Sequence, residues 1–75
     1  MENKILQLAS EIIGTDVEDI KNRYKDIPEI NAHYFWSPLR GGVSVIINSN
    51  YETLKAPSFV DYEKHLEAFV NGKRD

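Results

Sequence analysis

Apolar residues recur along this chain with two different periods. Over residues 3–13, Ile5, Leu6, Leu8, Ala9, Ile12 and Ile13 fall at helical spacing and make one broad stripe. Gly14 follows as a helix stop. Thr15, with Glu18 three residues on, has the form of a capping box. Val17, Ile20, Tyr24 and Ile27 then continue on a single helical face until Pro28 forces its predecessor out of the helical region. The spacing predicts two helices, 3–13 and 15–27, joined so tightly at Gly14 that they form a hairpin or a bent pair.

After residue 31 the period shortens to two. AHYFWS (32–37) is an aromatic run with strand character. VSVIIN (43–48) sends Val43, Val45 and Ile47 to one side and Ser44, Ile46 and Asn48 to the other. YETLKA (51–56) forms a third strand with Leu54 and Ala56 on one face, and Pro57 closes it. The segments 38–42 and 48–50 carry turn residues. A last helix over 59–71 is predicted from Phe59, Tyr62, Leu66, Phe69 and Val70, with Ser58 as its cap, Gly72 as its stop and a frayed tail behind. The predicted order is ααβββα. It describes one α+β domain over 1–75: a helical hairpin (1–30), a three-stranded antiparallel meander (31–57) and a C-terminal helix (58–75). The helices pack on one face of the sheet, in two layers.

Composition narrows the function. Seventy-five residues hold one domain, and with no cysteine there is no disulfide, thiolate zinc site or thiol nucleophile. That fits a reducing, cytoplasmic setting. No apolar stretch approaches the roughly 18 residues of a membrane span, so no membrane partner is expected. A net charge of −3 disfavours a general nucleic-acid binder. The charge is unevenly placed, however. Residues 31–57 carry only Arg40, Lys55 and Glu52, and hold four of the eight aromatic residues. The acidic total therefore says little about the sheet.

On the first predicted strand His33 and Phe35 share one face, and Tyr34 and Trp36 the other. One helical layer buries only one pair. Tyr34, Trp36, Ser44, Ile46 and Tyr51 are therefore the expected interface, and the expected partner is a second copy or another protein. On this reading the chain is a non-enzymatic interaction module. Base stacking would use the same rings but lacks a basic groove around them.

A second reading places a small anion or a nucleic acid at Arg40, Gly41 and Gly42, where two glycines expose consecutive amides beside a guanidinium. The plain alternative is a hairpin turn; no Lys-Ser/Thr follows, and the run leads into a strand. A third reading pairs Asp61 with His65, one helical turn apart, as a carboxylate and its imidazole. No nucleophile or further ligand set accompanies them, so a solvated helix pair, or a histidine at the rim of the core, is preferred. No catalytic residue, metal or cofactor is expected.

Overall fold

The structure, a computed structural model, describes residues 2–38 and 41–75. Eleven residues, Asn3–Ile13, form α1, and Gly14 ends it with φ 84°; the amides of Gly14 and Thr15 both return to the Ser10 carbonyl. A single turn, Val17–Ile20 (α2), follows. Then come four strands: β1 (Tyr24–Ile27), β2 (Ala32–Trp36), β3 (Val43–Asn48) and β4 (Thr53–Pro57). Helix α3 (Tyr62–Val70) closes the chain. The strands pair antiparallel in the order β1-β2-β3-β4. The molecule is thus a small α+β domain with three helices and a four-stranded antiparallel meander.

Three expectations are corrected. The helix expected over 15–27 is one turn of helix followed by a strand, so residues 1–30 are not a helical hairpin. Asn22 cuts it short: its side chain donates to the Glu18 carbonyl and its own amide to that of Asp19, a tightened end in place of a continuing helix. The apolar spacing that looked like one face serves two cores. Val17 and Ile20 pack with α1, while Ile27 packs with α3 on the opposite side of the sheet. Pro28–Ile30 make a 3-10 turn, and Asn31, in the left-handed conformation at φ 53°, brings the chain back as β2. The sheet gains a fourth strand by this route.

The second correction concerns layers. Phe35, Val45 and Ile47 face α1 and α2, with Ile5, Leu6, Ala9 and Ile20 completing that core. Ala32, Ile46 and Ile27 face α3 and its Phe69. Helices therefore cover both faces, not one. A sheet four strands wide spans roughly 19 Å, and nine helical residues about 13 Å, so one short helix covers most of a face. The third correction is the start of α3. Its N-cap is Asp61, not Ser58, and Phe59 lies before the helix with 84% of its surface exposed.

The tail is docked. Asp75 donates its amide to the Thr53 carbonyl at 2.9 Å, and its carboxylate accepts from the Lys55 amide and the Thr53 hydroxyl. Arg74 lies over the Phe69 ring at 3.7 Å and donates to the Phe69 carbonyl. The outer edge of β4 is thereby occupied by the chain itself. The accessible surface of 4819 Å² matches the ~4,700 Å² expected of a folded monomer of this mass.

Candidate interaction surface

The expected interface residues separate. Ser44 and Ile46 are interior, at 1% and 0% exposure, beneath α3. His65 comes down from α3 onto them. Its Nε2 lies 2.7 Å from the Leu54 carbonyl oxygen and its Nδ1 3.2 Å from the Ser44 hydroxyl. A carbonyl only accepts, so Nε2 donates to Leu54; in the neutral imidazole Nδ1 then accepts from the Ser44 hydroxyl. The fully buried ring thus bolts α3 to β3 and β4. It does not meet the Asp61 side chain; the His65 amide bonds the Asp61 carbonyl as an ordinary helical contact. The alternative pairing of Asp61 with His65 is not assembled.

Tyr34 is wedged against Tyr62 and His65 in edge-on contacts, at 4.8 and 5.7 Å between centroids. Trp36 stacks on Tyr34 at 5.8 Å and is half-buried. Tyr51 lies apart from these rings. It adopts φ 63° in the β3–β4 turn, a left-handed conformation uncommon for a residue other than glycine or asparagine. Its hydroxyl donates to Glu2 at 2.5 Å, and Lys4 lies over its ring. That contact holds the Tyr51 hydroxyl above the usual tyrosine range, through the hydrogen bond first, then burial and the Glu2 charge.

One end of the sheet keeps apolar surface in water. Trp36 pairs with Ser44, and Ser44 with Ala56; two residues further, Ser58 donates its amide to the Gly42 carbonyl. Phe59 follows directly. Trp36, Gly42 and Phe59 therefore share this end, and Asp61, Glu63 and Lys64 follow Phe59 in the chain, all exposed. Of the expected anion site, Gly41 is exposed with φ 79° and Gly42 belongs to the β2–β3 hairpin, while Arg40 lies outside the described residues. Its spacing predicts Phe59 on a helix face, and the late start of α3 places it in a loop instead.

A second locus combines polar groups the sequence pattern did not bring together. Asp26 and His33 are directly opposite each other on β1 and β2, and His33 Nδ1 lies 2.7 Å from Asp26 Oδ1. They border a cavity of about 380 Å³ with Glu2, Ile5 and Pro28. A helix over 15–27 would keep the two apart; they meet because residue 26 lies on β1. Among the described residues no cluster of three or more His, Asp or Glu is placed to hold a metal ion, and no helix is long and apolar enough to cross a membrane.

Comparison with protein-family models, with curated proteins and with solved structures finds no match.

Tyr62 gives the surface a measurable signature. Burial first, then the negative charge of Glu29 and the neighbouring Tyr34, push its hydroxyl above the ordinary value of 10.0. The fold therefore prefers the neutral phenol. Its stabilising contribution is complete below pH 10 and is lost as pH rises through the raised value. Urea midpoints should fall between pH 9 and pH 11, and fall less in Tyr62→Phe; an equal fall in both proteins would show that Tyr62 does not contribute.

Proposed function

We propose that this chain is a non-enzymatic protein-interaction module, and that it docks through the end of the sheet formed by Trp36 and Phe59. The observation that supports this reading is the 84% exposure of Phe59. A phenyl ring left in water at a loop tip forgoes roughly 1.5–3 kcal/mol of burial, which a partner recovers. Trp36, half-buried on Tyr34 at the same end of the sheet, adds a second aromatic ring of the type enriched at interface centres.

The occupant fitting this end is another protein with an apolar pocket rimmed by lysine or arginine. Asp61 and Glu63, both exposed, follow the anchor two and four residues along the chain. Two copies meeting through this end would bring four carboxylates together, whereas a basic rim pairs with them. Phe59→Asp tests the reading. Proteins retained on the immobilised wild-type chain should be lost from Phe59→Asp. The purified partner should bind that variant at least about 30-fold more weakly, and Trp36→Ala about tenfold more weakly. Its affinity for the wild type should also fall with added salt. Equal binding to wild type and Phe59→Asp would overturn the proposal. So would sedimentation showing a wild-type dimer that Phe59→Asp dissolves, since the occupant would then be a second copy.

A further inference from the structure

The two edges of the sheet are treated differently by the chain. The β4 edge is bonded by Asp75. For β1, the pairing pattern fixes which backbone groups are free. Trp36 donates its amide to the Arg23 carbonyl, and Lys25 and Ile27 stand opposite Tyr34 and Ala32. Hydrogen-bonded pairs alternate along an antiparallel ladder, so Arg23, Lys25 and Ile27 bond inward to β2. The amides and carbonyls of Tyr24 and Asp26 therefore point outward, at the i, i+2 spacing of a strand.

Each of those two residues also borders a cavity on the α1 side of the sheet. Beside Tyr24 lies one of about 430 Å³, lined by Leu6, Asn3 and Lys21. Beside Asp26 lies the cavity of about 380 Å³ that Glu2 and Asp26 help to line. Free backbone groups with side-chain pockets at alternate positions are the requirements of strand addition. Between them Lys25 projects to the α3 side, its ammonium 4.4 Å from the Tyr62 ring centroid.

Antiparallel pairing with the β1 edge of a second copy is disfavoured. Antiparallel pairing of β1 with itself must place outward residues against outward residues, which leaves three registers. One sets Lys25 against Lys25, one sets Asp26 against Asp26, and the third sets Arg23 against Lys25 twice. Like charges directly opposite are destabilising. The same charges favour a different strand.

We propose that the β1 edge accepts an extended segment of another protein, antiparallel, whose sequence reads basic, acidic, apolar from N to C. The basic residue lies opposite Asp26 and reaches the Asp26 and Glu2 carboxylates. The acidic residue lies opposite Lys25. The apolar residue lies opposite Tyr24 and enters the cavity floored by Leu6. This edge is distinct from Phe59, which follows β4 on the opposite edge of the sheet, and does not depend on it.

The test is an NMR titration of the full chain with the peptide Ser-Thr-Lys-Glu-Val-Thr-Ser and with its charge-exchanged counterpart Ser-Thr-Glu-Lys-Val-Thr-Ser. The first peptide should slow hydrogen exchange at the Tyr24 and Asp26 amides and bind about tenfold more tightly than the second, the effect of a few cross-strand charge pairs. Lys25→Glu, an exposed change, should erase that preference. Phe59→Asp should leave it intact, which separates this proposal from the one above. Equal binding of the two peptides would overturn it. So would protection confined to other amides, or a dimer that protects Tyr24 and Asp26 without peptide.

Discussion

Phe35→Ala should destabilise the fold by about 3–5 kcal/mol, the largest loss expected from any single apolar truncation in the chain. Phe35 is completely buried at the centre of the sheet, opposite Tyr24 on β1 and Val45 on β3. It forms the floor on which Ile5, Leu6, Ala9 and Ile20 rest. Truncation removes its transfer free energy and leaves a hole that two strands and a helix would have to collapse to fill. A 75-residue domain holds roughly 4–11 kcal/mol in all, so the variant should be largely unfolded or melt tens of degrees lower. Trp36→Ala is the internal comparison. It is the adjacent residue, on the opposite face and only half-buried, and should cost markedly less. Urea denaturation followed by circular dichroism decides the matter. If the two variants proved equally stable, the assignment of Phe35 to the centre of the core would be wrong.

Much of this arrangement was legible in the sequence because most of its segments obey one period each. VSVIIN alternates and is β3; Leu54 and Ala56 do fall on one face of β4; Gly14 does stop α1. The failures have physical causes. Tyr24-Lys25-Asp26-Ile27 has no pattern of its own, and its two apolar ends completed a helical spacing begun by Val17 and Ile20. Tertiary pairing with β2 overrode that local match, in a segment whose following proline already barred a longer helix. The site suffered accordingly. Asp26 and His33 are seven residues apart and meet only because β1 exists. Ser44 and Ile46 were placed on the correct face, but that face was expected to be open. The assumption that one helical layer exhausts a chain of this length failed because a nine-residue helix suffices for so narrow a sheet.

The residue that closes that second face carries the other large prediction: His65→Ala should cost about 3–5 kcal/mol. The substitution empties a site at 1% exposure and strips partners from two groups that cannot turn to water, the Leu54 carbonyl and the Ser44 hydroxyl. Volume and hydrogen bonding can be separated. His65→Leu refills most of the space but leaves both polar groups unpaired, so it should still cost about 2–3 kcal/mol, the penalty of orphaned buried groups. Adding Ser44→Ala to His65→Leu removes one orphan and should return about 1 kcal/mol, although Ser44→Ala alone is destabilising. Such a change of sign arises only when the two side chains act as a pair. Additive effects in the double-mutant cycle would instead mean that α3 is held by Phe69, Leu66 and Tyr62 alone, with the buried imidazole contributing no more than its bulk.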